Sequence, residues 1–167
     1  MSTTAETAVT TQVYRVYIKA TPQAIWDAIT KPEWTQRYGY RGLVEFDDLE
    51  PGGKYRFRAP EDMQAMGMPE IVVDGEVVEA DPPRRLVQTW RALWDEEVAA
   101  ESTRVTYDIE EDDGGTTRLT VTHELEGAPT TAAQVTSLKR VHEGGGGWNM
   151  ILSDLKTLLE TGNSLFS

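Results

Sequence analysis

An α+β fold, a curved antiparallel sheet of about seven strands closed by one long C-terminal helix, follows from three features of the sequence. Between residues 43 and 126, apolar residues recur at every second position in short runs separated by turn residues, the pattern of half-buried strands. Those strands follow one another through tight turns, which makes an antiparallel meander with one face to cover. From 131 to 161 the period changes to that of a helix. Val135, Leu138, Val141, Gly145, Trp148, Leu152, Leu155 and Leu159 form one stripe, and nothing else in the chain is long enough to cover the sheet.

The elements read in order as follows. Residues 1–8 are small and polar and form a flexible lead. A strand over 9–20 places Tyr14, Val16 and Ile18 on one face. Thr21-Pro22 starts a helix, a hydroxyl cap followed by proline at the first position, with Ile25, Trp26 and Ile29 as its apolar side. A second short helix covers 33–38 and carries Trp34 and Tyr38. Strands are expected over 43–47, 54–59, 70–80, 85–94, 102–110 and 116–126. Pro51-Gly52-Gly53 and Asp112-Asp113-Gly114-Gly115 mark two of the turns. Residues 60–69 read as a loop in which Met63, Met66 and Met68 suit either a pliable lid or packing on the helix. The charge runs 95–97 and 110–113 read as solvated loops.

The last helix holds a conflict. Its stripe runs in phase through Gly144 to Gly147, yet each glycine costs a helix roughly 1 kcal/mol against alanine. The expectation is a helix of about 45 Å over 131–161, kinked but not ended at the glycines. Small residues there would let the backbone approach the sheet or leave room for a ligand.

Composition narrows the function. A chain of 167 residues is one domain by length, taken as residues 9–162 with a tail over 163–167. A net charge of −12 argues against nucleic acid and anionic membrane surfaces. The absence of cysteine excludes disulfides, thiolate metal sites and a cysteine nucleophile. No apolar run reaches membrane-spanning length, and the N-terminus lacks a signal peptide's basic start and apolar core, so a cytoplasmic location is expected. The two histidines have no carboxylate motif beside them, so no metal and no cofactor are expected. The glycine clusters lack the Lys-Ser/Thr of a phosphate loop.

One constellation remains. Tyr55, Phe57, Trp90, Tyr107, His123 and Trp148 each fall on the inward face of their element, and Leu152 follows Trp148 along the stripe. The set reads equally as a packed aromatic core or as a ligand pocket with polar tips. His123 shares a face with Val121 and Leu125 and is either a hydrogen-bonded structural residue or an acid–base candidate. His142 falls at the polar edge of the helix and reads as packing or surface.

Four segments carry a family resemblance: LEPGGKYRFR (49–58), GEVVEADPPRRLVQTW (75–90), STRVTYDIEEDDGGTTRLTVTHEL (102–125), and 142–160 with Gly147-Trp148 at its centre. They resemble the START-like, or SRPBCC, superfamily, whose fold is called the helix grip. Within it they are similar to the branch named for activators of the ninety-kilodalton heat-shock protein ATPase. The resemblance implies an apolar cavity between sheet and long helix. It implies a binding module for a lipid, steroid or polyketide-like molecule, with a polyketide-cyclase-like enzyme as one alternative. A chaperone partner is the other alternative. In eukaryotic members of the branch a second domain docks on the chaperone, and no such domain is expected in a sequence of this length. Monomer and homodimer are both compatible with the sequence.

Overall fold

The structure, a computed structural model, describes residues 10–143 and 145–166. The expected lead over 1–8, the strand start at Val9, Gly144 and the side chain of His142 lie outside the described residues. Seven strands form one antiparallel sheet in the order β1-β7-β6-β5-β4-β3-β2. They are β1 (Thr11–Ile18), β2 (Leu43–Phe46), β3 (Lys54–Arg58), β4 (Ile71–Asp81), β5 (Arg85–Ala92), β6 (Thr103–Glu111) and β7 (Thr117–Glu124). This is the helix-grip architecture expected.

Two helices follow β1, α1 (Pro22–Thr30) and α2 (Pro32–Thr35). The Thr21 hydroxyl accepts the Ala24 N–H at 3.1 Å, as the hydroxyl-proline signal predicts. The second helix is earlier and shorter than expected. Proline again occupies its first turn, and the Tyr38 hydroxyl leaves the helix to donate to the Ala28 carbonyl at 2.8 Å. Two segments read as loops each contain a short helix, α3 (Glu61–Ala65) and α4 (Glu96–Ala99). The α4 turn exists because Asp95 caps it, accepting from the N–H groups of Glu97 and Val98.

The largest departure is at the C-terminus. The expected continuous helix is two, α5 (Pro129–Val135) and α6 (Gly147–Thr161), separated by an irregular segment with a 3₁₀ turn at Val141–Glu143. The glycines therefore do not kink a continuous helix: α5 has already ended at Val135, and the glycines lead into the start of α6. Gly146 and Gly147 have φ of +98° and +52°, a region that L side chains avoid. A Cβ on Gly145 would lie 2.0 Å from the Lys139 carbonyl oxygen, and one on Gly147 would lie 2.7 Å from that of Val135. The small residues serve the chain's turn back upon itself, not an approach to the sheet. The Tyr40 hydroxyl clasps that turn, donating to the Gly145 carbonyl at 2.8 Å and accepting the Gly147 N–H at 3.0 Å. Gly147→Ala is expected to lower stability by about 1–3 kcal/mol in chemical denaturation, through positive φ and overpacking together.

α6 still grips the sheet. Trp148, Leu152, Leu155 and Leu158 enter one core with Ile18 of β1, Trp90 of β5, Tyr107 of β6 and Val121 of β7. The buried Asp154 carboxylate accepts the Gly39 N–H at 2.9 Å and the Leu165 N–H at 2.7 Å, so the helix carries its own docking point for two loops.

Candidate functional site

Alternation along β5, β6 and β7 sets the site. Leu86, Gln88, Trp90 and Ala92 point inward from β5, as do Thr103, Val105, Tyr107 and Ile109 from β6 and Leu119, Val121 and His123 from β7. The antiparallel register puts Leu86 opposite Tyr107, Gln88 opposite Val105, and Val105 opposite His123. These residues come side by side on the sheet face that meets α6.

Four of the seven sequence candidates form a continuous run of edge-to-face rings. Trp90 meets His123 at 5.0 Å between centroids, His123 meets Trp148 at 6.0 Å, and Trp148 meets Tyr107 at 6.1 Å. Tyr55 and Phe57 form a second group with Phe46, and the Tyr55 hydroxyl donates to the Thr89 carbonyl at 2.5 Å. Leu152 is buried one turn beyond Trp148. Of the loop methionines, Met63 and Met68 are half-buried and Met66 is exposed.

His123 is fully buried and both ring nitrogens are engaged. Trp148 Nε1–H can only donate, so Nδ1 accepts, at 3.1 Å. The Thr103 hydroxyl donates to the Trp90 carbonyl at 3.0 Å, so it accepts from Nε2–H at 2.8 Å. The partners assign the neutral Nε2–H tautomer. A proton at Nδ1 would face the indole N–H, donor against donor. Burial also disfavours the imidazolium and lowers the His123 pKa from 6.5 to about 4. In this arrangement neither a lone pair nor a proton is left over for a ligand.

The neighbouring polar groups differ. Gln88 Oε1 is buried with no hydrogen-bond partner. The Tyr107 hydroxyl and the Trp90 indole N–H make no hydrogen bond among the described residues, but unlike Gln88 Oε1 neither atom is sealed from solvent. One sealed acceptor and two donors that reach solvent therefore sit on neighbouring inward positions of β5 and β6. Burial raises the Tyr107 pKa and keeps its hydroxyl a donor. Sequence reasoning did not single out Gln88. The available signal was a lone amide among the apolar inward positions of β5, between Leu86 and Trp90.

A groove of about 420 Å³ opens nearby, between β1 and the interrupted helix, lined by Gln12, Tyr14, Val135, Leu138 and Asn149 among others. Gln12 pairs with His123 in the β1–β7 register. Among the described residues no group of three or more His, Asp or Glu side chains converges as a metal site, and no helix is long and apolar enough to cross a membrane.

The family model described as "Activator of Hsp90 ATPase homolog 1-like protein" matches residues 19–160, most of the chain. The chain belongs to this family. The family's helix-grip fold is also that of the solved structures it is similar to. PFC0360w, an HSP90 activator from Plasmodium falciparum, is 19% identical with a TM-score of 0.62, over 90% of this chain and 96% of that one. CalU16 from Micromonospora echinospora is 22% identical with a TM-score of 0.58, over 91% and 77%. DynU16, a putative protein of the dynemicin biosynthetic locus, is 22% identical with a TM-score of 0.66, over 93% of this chain but 49% of that one. None of the curated proteins matches.

Proposed function

We propose that this family member binds an apolar small molecule, lipid-, steroid- or polyketide-like, against the inner face of β5 and β6 beneath α6. The observation that carries the reading is a trio: Gln88 Oε1, a buried acceptor with no donor, beside the Tyr107 O–H and Trp90 Nε1–H, two donors that reach solvent and have no protein partner among the described residues. Buried polar groups are almost always paired, and leaving one unpaired costs about 1–3 kcal/mol. A ligand with a hydroxyl and a carbonyl on an apolar frame would satisfy the trio, while the surrounding rings would cover the frame. Phe57 and Tyr55 would extend the apolar wall, and Leu152 would face it from α6. The groove beside β1 is the route of entry this reading assigns. The family's fold supports the reading, since an interior between sheet and helix suits such a guest.

The test is native mass spectrometry and thermal-shift screening against lipids, steroids and aromatic polyketides. The double variant Gln88→Leu, Tyr107→Phe is expected to lose ligand-induced stabilisation. Its ligand-free form is expected to be more stable than wild type by about 1 kcal/mol, because the partnerless Gln88 amide oxygen leaves the core. Undiminished binding by that variant, or no stabilising compound in the panel, would overturn the proposal. Conversion of the bound compound, instead of its return unchanged, would establish the cyclase-like alternative. Stimulation of an Hsp90-type ATPase without any ligand would establish the chaperone alternative.

A further inference from the structure

The outer face of the sheet, opposite the helix, carries a second concavity that the binding reading does not use. It is an open basin of about 550 Å³ over β1, β7, β6 and the β4–β5 turn. Its form follows from register. Arg15 of β1 lies opposite Thr120 of β7, Thr120 opposite Asp108 of β6, and Asp108 opposite Arg85 of β5. Val13 likewise lies opposite Thr122. Short threonines thus make the floor, and longer side chains, four of them arginines, make the rim.

The hydrogen bonding of the rim is unbalanced. Each of its three carboxylates is committed to an arginine: Asp81 to Arg84 at 3.1 Å, Asp108 to Arg85 at 2.6 Å, and Glu110 to Arg118. Arg15 has no carboxylate partner among the described residues. Its Nε–H donates to Thr120 Oγ1 at 3.1 Å, which fixes the guanidinium over the floor and leaves its two terminal nitrogens unengaged. The Thr120 oxygen accepts in that bond, so its own O–H points elsewhere and has no acceptor among the described residues. The Thr122 hydroxyl likewise has no acceptor among the described residues. Arg118 Nε–H is buried without a hydrogen-bond partner. What the basin has left over is a set of donors and one unpaired positive charge.

We propose that this basin binds an oxyanion, the phosphate or carboxylate group of a small molecule, with Arg15 as its principal charge partner and Thr120 and Thr122 as hydroxyl donors. Guanidinium bonds to oxyanions are charge-assisted and directional, and the Nε–H bond to Thr120 orients the fork before the anion arrives. The chain's net charge of −12 opposes approach from afar. At physiological ionic strength that field is screened beyond about 8 Å, which leaves the local arginines to decide.

The experiment is an amide NMR titration of the full chain with inorganic phosphate in one arm and acetate in the other, at constant ionic strength, with chloride as the control. The expected result is saturable shifts centred on Arg15, Thr120 and Thr122 that chloride does not reproduce. Saturation with phosphate alone identifies a phosphate-bearing partner, and with acetate alone a carboxylate-bearing one. Arg15→Gln and Thr120→Val should each weaken binding about tenfold or more, with unfolding midpoints close to wild type. Arg56→Gln should not weaken it, because Arg56 is committed to Glu45 and Asp47 elsewhere on the sheet. Absence of saturable shifts in both arms, or equal binding by wild type and Arg15→Gln, would overturn the proposal.

Discussion

Trp148→Ala is expected to lower the free energy of unfolding by about 4–8 kcal/mol. Two effects combine. Removing a buried indole leaves a cavity, at about 3–5 kcal/mol for such a truncation. The indole is 7% exposed and packs on both His123 and Tyr107, so little can collapse into the space. The substitution also strips His123 Nδ1 of its only donor, and an unmatched buried acceptor costs about 1–3 kcal/mol. A loss of that size approaches the whole stability of many domains, so the variant is expected to be largely unfolded or to denature at much lower urea. Trp148→Phe separates the two effects. It keeps an aromatic ring and removes the N–H, and a loss of about 1–3 kcal/mol is expected. Urea denaturation of both variants is the measurement. A Trp148→Ala protein within 1 kcal/mol of wild type, roughly a surface-substitution effect, would show that α6 is not pinned through this residue.

The second large effect is acid-induced. His123 has its folded pKa lowered by burial, from 6.5 to about 4. The unfolded chain therefore binds the proton first. The stability linked to this group is fully present above pH 6.5 and is lost progressively as pH falls from 6.5 towards 4. A tenfold change in proton affinity is worth about 1.4 kcal/mol, so the total is about 3 kcal/mol, of which about 2 should be gone by pH 5. The lowered carboxylates have the same sign but a lower window. Glu45 is held down by Arg58. Glu160 is held down by Lys156. Burial opposes the lowering of Glu101, which the Thr131 and Thr130 hydrogen bonds nonetheless achieve. Their contributions fade only as pH drops below their ordinary value near 4.5. Denaturation at pH 7, 6 and 5 thus isolates His123. A wild-type stability that is flat across this range would contradict the buried neutral tautomer. His123→Gln should remove most of the slope while being less stable at pH 7, because it cannot reproduce both bonds at once.

Much of the inner wall was legible in the sequence because strand alternation is a local property. Trp90, Tyr107 and His123 could be placed inward from their neighbours alone, and Trp148 from the helical stripe. The run of rings connecting them follows from that placement plus antiparallel order. What was not legible is which polar tips find partners. His123 is silenced by Thr103 and Trp148, 20 and 25 residues away. Gln88 Oε1 is buried with no donor within hydrogen-bond distance. Hydrogen-bond satisfaction depends on distances across the sheet to within a few tenths of an ångström, which no spacing rule encodes.

The broken helix makes the same division. The amino-acid sequence by itself determined seven strands in antiparallel succession, a capped helix after the first, and an apolar face on α6. Each depends on periodicities of two or 3.6 residues and on turn residues with fixed backbone preferences. Periodicity also carried the stripe through the glycines, and there it misled, since an in-phase pattern records which face is apolar and not whether the backbone stays helical. Only the tertiary structure decided the break, because the groups that stabilise it come from afar. Tyr40, more than a hundred residues earlier, supplies the hydroxyl that closes the turn at Gly145 and Gly147. The same holds on the outer face, where Arg15 is left without a carboxylate because its cross-strand neighbour in the folded sheet is a threonine.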